Sequence, residues 1–412
     1  MDDTNVERGQ TTARRQRAAI ALVQVLGLAV WFSVSAVVPS LRQSWGISTS
    51  GAVWLTGATQ LGFVVGAVGS TALNLADRIT AQVLLAMSAA SAAVCTVVLA
   101  LFADGMATAL PLRFLTGVCL AGVYPVGMKL MASWAPSTGR GLALGVLIGA
   151  LTLGSILPQL INGFGDLPWP TVLLVASALG GLGALIALVF VRPGPHLARG
   201  TGTPHPRYAL TMFTQRGPLL TNLGYFGHMW ELYALWTWLP IFLLASPTAQ
   251  ELPGSVGLVV FATMGLFGVA GCLLGGWGAD RFGRSRAAVI ALAVSGTCCL
   301  LSPLAFHAGP ALLVLFCAVW GASVIADSGV FSTSLSETAD PHYVGTALTA
   351  QTAIGFALTV ISIQLVPLLA NAVGWQYAFL LLVPGPVMGA RAMQALGSRV
   401  PNTTPAASDE PS

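Results

Sequence analysis

Charge is what this chain has least of. Only 8% of its 412 residues are Asp, Glu, Lys or Arg, against roughly 25% in an ordinary soluble domain. Hydrophobic residues make up 55%, and the mean hydropathy is +0.79. A soluble globule of this length could not keep so much apolar side chain away from water. That excludes a cytosolic enzyme, a nucleic-acid-binding protein and a disordered scaffold, and leaves a polytopic membrane protein. Cysteine is also sparse. The six (Cys95, Cys119, Cys272, Cys298, Cys299 and Cys317) lie inside apolar stretches. None has metal-site spacing, and none sits in a loop where a disulfide would staple anything, so no metal is expected. There is no Gly-x-x-x-x-Gly-Lys-Ser/Thr loop to cradle a nucleotide, which removes ATP-driven pumping by this chain alone. No cofactor is implied. No run of alternating ten-residue segments suggests a β-barrel.

What is present is a series of apolar stretches of about 20 residues, each long enough to cross the hydrocarbon as a helix. Twelve spans are expected, at about 18–41, 51–75, 82–102, 107–133, 140–164, 169–191, 217–245, 254–277, 287–306, 310–335, 343–370 and 374–396. They are numbered 1 to 12 below. With the N-terminus placed in the cytoplasm, 15 of the 18 basic residues fall on inner segments and only Arg42 on an outer loop. Such an asymmetry sets both termini inside. The net charge of +4 therefore reports orientation, not a polyanionic partner.

The spans divide six and six. A 1–17 cytoplasmic tail precedes an 18–191 bundle; a Pro- and Gly-rich 192–216 linker leads to a 217–396 bundle and a 397–412 cytoplasmic tail. Two markers recur at nearly one offset. Asp77 and Asp280 are 203 residues apart, and Gly117 and Gly321 are 204 apart. That is the signature of a duplicated bundle.

After span 8 comes Gly276-x-x-x-Asp280-Arg281-x-Gly283-Arg284-x-Arg286. It resembles the loop motif of the major facilitator superfamily. The copy after span 2 keeps Asp77 and Arg78, but Leu73, Thr80 and Ala81 replace the glycines and the second Arg. Together with span count, linker and orientation, the resemblance covers nearly the whole chain. It implies an all-α integral membrane protein, with twelve transmembrane helices in two six-helix bundles. It also implies that contacts of Asp280 and Arg284, and of Asp77, latch the bundles in one conformation. An Asp at a helix end can face the N-terminus of another helix, whose free N–H groups carry partial positive charge. The alternative is that these charges only anchor the loops at the inner surface.

Inside the spans lie four charged residues, Arg113, Lys129, Glu231 and Asp327, joined by His228. Each charge costs at least ~2.5 kcal/mol at mid-bilayer, so each should face protein or water. Glu231 and His228 stand one turn apart in span 7, where a carboxylate and an imidazole can exchange a proton. Asp327 lies on the polar stripe of Trp320, Ser323 and Ser334 in span 10. These three are the expected proton-coupling residues, with structural hydrogen bonding as the alternative. Arg113 opens Arg113-x-x-x-Gly117-x-x-x-Ala121, which resembles the superfamily's span-4 signature, whose Arg is associated with proton transfer or anion contact. Tyr124 falls on its face of the helix. Snorkelling to an interface is the competing fate of Arg113 and of Lys129. Pro125 should kink span 4. Trp31, Trp230 and Trp320, with Gln159 of span 5, complete the expected substrate contacts. Span 5 lacks the Gly-Pro and the closing Gly-Gly of the superfamily's drug antiporters.

The expected function is secondary transport of a small solute by alternating access, probed by two substrate readings. A small organic or inorganic anion, proton-coupled, is favoured by Arg113. Proton-coupled efflux of amphipathic or cationic compounds is the alternative, using Glu231, Asp327 and the aromatics. A membrane sensor or enzyme is remote, because there is no added soluble domain and no interfacial cluster of nucleophiles. The expected setting is the inner membrane, with a monomer as the working unit. The expected partners are a solute, protons and the bilayer, without nucleic acid.

Overall fold

A computed structural model describes residues 3–73, 75–135, 140–165, 167–197, 212–340 and 344–398; the side chains of residues 3–9, 49, 50, 76, 77 and 140 stand outside that description. Most of the expected linker and C-terminal tail, and the Asp77 side chain, therefore lie outside the described residues. Those described contain helices and no strand.

Each expected span is helical. Ten helices are long and apolar enough to cross a membrane among the described residues. Spans 1 and 7 fall outside that count for different reasons. Span 1 breaks: one helix runs Asp3–Leu28, residues 29–32 turn, and short helices follow at Ser33–Ala36 and Val38–Trp45. Span 7 is one unbroken helix, Arg216–Ala245, but buries Asn222, His228 and Glu231.

Span 4 splits into Met106–Leu120 and Tyr124–Ser133. Pro125 stands in the first turn of the second piece, where its missing N–H costs no helical hydrogen bond. The kink expected from Pro125 is thus a full break just ahead of it. Span 10 splits at the same repeat position, into Pro310–Ile325 and Ser328–Thr338, with no proline there. Span 8, Val256–Phe282, takes a wide π turn at Phe261–Leu266. It stops at Gly283, whose φ of +89° is a conformation glycine adopts without strain, and span 9 starts at once at Arg284.

The repeat is visible in packing. Gly117 of span 4 lies on the carbonyl of Thr59 in span 2; Gly321 of span 10 lies on the carbonyl of Thr263 in span 8. Both members of the contact are displaced by 204 residues, and a Cβ at either glycine would collide with backbone. Small residues here let helices approach closely without a hydrophobic driving force between them.

The halves meet along two seams. Spans 5 and 8 touch from Gly145, beside Cys272, to Gly163, whose carbonyl accepts from Ser255 Oγ at 2.8 Å. Spans 2 and 11 (Val344–Val373) meet at Phe63 and Phe356, with ring centroids 4.3 Å apart, and at Thr71 and Thr349, whose hydroxyls are 3.1 Å apart.

Candidate functional site

The bundle ends differ. At one end a cavity of about 790 Å³ opens between the halves. Its polar walls come from Ser35, Thr56, Gln159 and Asn162 of the first half and from Thr237 and Trp238 of the second. Among the described residues, none of its lining side chains is charged.

Within four residues of lining Ser35 and Thr237 begins a buried layer of rings from both halves, whose members are not themselves cavity walls. Trp31 stacks on Tyr233 at 6.0 Å and on Phe356 at 5.5 Å, and meets Phe63 at 5.0 Å. Phe32 stacks on Tyr233 at 5.7 Å and meets Trp236 edge-on at 5.8 Å. These offset and edge-to-face arrangements are the ones aromatic quadrupoles favour. The N–H groups of Trp31 and Trp236, and both amide atoms of Gln60, are buried without a hydrogen-bond partner. Buried polar atoms of this kind are normally satisfied, so the layer holds unused hydrogen-bonding capacity.

Arg113 sits behind that layer, 1% exposed. Its Nη1 donates to the Val30 carbonyl at 3.1 Å and its Nη2 to the Trp31 carbonyl. The break in span 1 frees those carbonyls, and the guanidinium satisfies them. No carboxylate lies within ion-pair distance of Arg113 among the described residues. It does not snorkel, and it is not a cavity wall. Across the same pair of spans, Gln24 Nε2 donates to the Val123 carbonyl at 3.1 Å, so each helix caps the other's break.

The second half buries two acidic centres. Glu231 is 1% exposed and accepts from Trp320 Nε1 at 2.7 Å, from Ser295 Oγ at 3.0 Å and from Cys299 Sγ at 3.2 Å. His228 is turned elsewhere: its Nδ1 is 2.9 Å from Asp327 Oδ1, and its Nε2 is 2.7 Å from Ser328 Oγ. The His–Asp contact is an ion pair by distance; neither Asp327 oxygen has an aligned hydrogen bond. Although one turn apart, Glu231 and His228 thus have separate partners.

The other expected contacts are dispersed. Trp31 sits in the ring layer, and Gln159 lines the wall. Trp320 is occupied by Glu231, Trp230 donates to the Leu381 carbonyl at 3.1 Å, and Tyr124 is half-buried away from the cavity. Lys129 is half-buried in the second piece of span 4. Sequence reasoning missed Phe32, Phe63, Tyr233, Trp236 and Phe356 as one layer. They come from four spans, and only their packing unites them.

The opposite end carries the loop motif. Asp280 is exposed, and its carboxylate lies against Gly141, in the first turn of span 5 (Arg140–Gly163). Gly276 faces Gly141 across the same seam. Arg284 forms an ion pair with Glu337 at the end of span 10. Arg281, Arg286 and Arg78 are exposed.

Two helical bundles, each with a repeated glycine contact and meeting around a central cavity, define a multi-pass membrane transporter fold. Residues 20–363 match the model of the Major Facilitator Superfamily. The chain belongs to that superfamily. It is similar to a gallate transporter of Pseudomonas putida, 26% identical over 300 residues, covering 64% of each chain. It is similar to a 4-hydroxybenzoate transporter of the same organism, 25% identical over 60% of this chain and 61% of that one. A niacin transporter of Acinetobacter baylyi is 24% identical over 73% and 74%. The alignment thus spans just under two thirds of the gallate transporter. Among solved structures, a proton:xylose symporter, XylE, bound to 6-bromo-6-deoxy-D-glucose, aligns over 94% of this chain and 96% of that one, with a TM-score of 0.72 and 16% identity. At that identity the likeness concerns fold alone.

Proposed function

We propose that this protein is a secondary transporter of small aromatic carboxylates, coupled to protons and working in the inner membrane with both termini cytoplasmic. Twelve helices would cross the bilayer. The observation that carries the substrate class is the aromatic layer. Six rings from both halves form one buried layer, and Trp31, Phe32, Tyr233 and Trp236 stand within four residues of Ser35 and Thr237 in the neutral, hydrogen-bonding cavity wall. A flat ring can enter this layer by replacing ring–ring contacts with equivalent ones. Behind the layer, Arg113 is buried without a counter-charge among the described residues, and a carboxylate arriving there would supply one. Gallate, 4-hydroxybenzoate and niacin, named for three relatives, are aromatic acids, which supports the same class here. Glu231, Asp327 and His228 also stay off the walls, so the cation-efflux reading has no wall charge in its favour.

The mechanism follows from the two seams. With Thr71–Thr349 and Asp280–Gly141 closed across the seams, the cavity faces the opposite end. Rocking of the bundles about the aromatic layer would open the closed end, and the layer would pass from one side to the other.

The test is ligand binding to purified protein, followed by quenching of tryptophan fluorescence. 4-Hydroxybenzoate and benzoate should bind, and 4-hydroxybenzyl alcohol should bind at least about tenfold more weakly, the equivalent of one charge-assisted hydrogen bond. Arg113→Lys, which loses the forked geometry, should weaken binding moderately, and Arg113→Ala strongly. Binding of aromatic amines with no binding of the acids would replace this reading with cation efflux.

A further inference from the structure

The reading above leaves open which buried group carries the coupled proton, and the internal repeat bears on it. Gln24 and His228 are 204 residues apart, and so are Val123 and Asp327. That is the offset of the Gly117–Thr59 and Gly321–Thr263 contacts. The bond from Gln24 to the break in span 4 and the contact from His228 to the break in span 10 are therefore one device, built twice. In the first half it joins an amide to a carbonyl, neither of which titrates. In the second it joins an imidazole to a carboxylate, 1% and 2% exposed. Asp327 lies at the N-cap of Ser328–Thr338 and makes no capping hydrogen bond with its side chain. The far end of that helix carries Glu337, the partner of Arg284.

We infer that the His228–Asp327 clamp is the protein's proton switch, that Glu231 is a structural acceptor, and that the half-helix Ser328–Thr338 carries the switch to the Arg284–Glu337 contact. The inference rests on the proposed proton coupling, not on the identity of the solute. With one proton on the ring, Nδ1–H faces Asp327 and the Ser328 hydroxyl donates to Nε2. A proton delivered by water forms an N–H bond at Nε2; the hydroxyl turns to accept it, and the water loses that proton. The clamp then joins two opposite full charges and holds span 10 against span 7. Loss of the proton leaves a neutral ring beside a carboxylate, and the half-helix is released. The half-helix also meets the first half, Gly329 lying against Ile148 of span 5, so protonation favours the conformation seen here, closed at the Asp280 end.

Of the ionisable neighbours, Glu231 is the competing group, and the Glu231→Gln arm below separates it from the clamp. Tyr225 packs on His228 from its own helix, with centroids 6.2 Å apart. Cys272 of span 8 faces Asp327, and Tyr124 of span 4 faces Tyr225 and Cys272 across the interface. Glu231 is one turn away and has three donors of its own.

The experiment uses the full chain in lipid nanodiscs, with its native cysteines replaced by Ser. Spin labels at Leu73→Cys and Gly345→Cys, both exposed, flank the Thr71–Thr349 contact. Pulsed dipolar spectroscopy reads the short-distance, closed population without any solute. That population should fall about tenfold relative to the open one between pH 5 and pH 8, the interval in which histidine changes charge. His228→Gln installs the residue that the first half uses, and should leave a population that pH does not move. Asp327→Asn should do the same. Glu231→Gln should keep the parent's pH response. A flat parent profile overturns the proposal, as does a flat Glu231→Gln profile or an unchanged response in both His228→Gln and Asp327→Asn. Failure of every aromatic acid to bind, with the pH response intact, would overturn the substrate reading alone.

Discussion

Glu231 shows how a side chain that reads as a coupling group finds partners that its own helix does not reveal. In sequence, a carboxylate three residues from a histidine at mid-membrane depth suggests a proton relay. In the fold it accepts from Trp320, Ser295 and Cys299, while His228 faces Asp327. Their partners sit 64 to 100 residues away in the chain, so spacing within one helix could not apportion them. Arg113 is a parallel case. Its burial follows from its place in an apolar run, but its two carbonyl acceptors exist only because span 1 breaks at 29–32, which no residue there announces. A buried donor left without its acceptor costs about 1–3 kcal/mol. Glu231→Ala strands three donors, whereas Glu231→Gln keeps one acceptor oxygen in place. Glu231→Ala should therefore lower the melting temperature in detergent clearly more than Glu231→Gln. Equal melting temperatures for the two variants would remove the cage as a stabilising feature.

Helix ends and breaks carry the conformational information. The loop between spans 8 and 9 was readable from sequence, because Gly283 and the arginines around it form a compact pattern. Its partner was not. Glu337 stands in an inner segment that lacks basic residues, and in isolation it has no evident purpose. The fold supplies one by bringing the end of span 10 to Arg284. The break in span 4 was announced by Pro125, and the break in span 10 by nothing except its place in the repeat. Asp280 against the first turn of span 5 places negative charge at a helix N-terminus, worth about 0.3–1 kcal/mol for an exposed group. Asp280→Asn should therefore shift the closed-to-open ratio about two- to fivefold toward open, read with the same spin-label pair. Asp77→Asn should shift it less, because the loop after span 2 retains fewer of the motif's residues. A larger effect of Asp77→Asn would reverse that ranking.

For the assembled bundles, composition and periodicity located most spans within a few residues, because a bilayer leaves the backbone little alternative; span 1 is the exception, its helix starting at Asp3 inside the expected tail and ending at Leu28. The division into two repeats was legible too, from Gly117 and Gly321, and their matching contacts on Thr59 and Thr263 give that offset a structural meaning. The binding region was not legible in the same way. The cavity and the ring layer draw on spans 1, 2, 5, 6, 7, 8 and 11, and their chemistry is that of a surface, not of a motif.

The absence of charge from the cavity walls, among the described residues, has a consequence for ionic conditions. An inorganic ion entering this vestibule would shed hydration and meet only amides, hydroxyls and rings. Chloride, phosphate and acetate should accordingly compete poorly with an aromatic acid. Raising the ionic strength has no wall charge to screen, and Arg113 is too deeply enclosed for mobile ions to reach. The dissociation constant for 4-hydroxybenzoate should thus stay within about twofold between 0.05 M and 0.5 M sodium chloride, whereas a charge-lined site would weaken several-fold over the same range. A salt titration by fluorescence quenching measures it, and a steep loss of affinity would mean that the ligand is held by exposed charge somewhere other than this layer. On the proposed reading, cargo is selected by flatness first, and that selectivity should hold in brine as in fresh water.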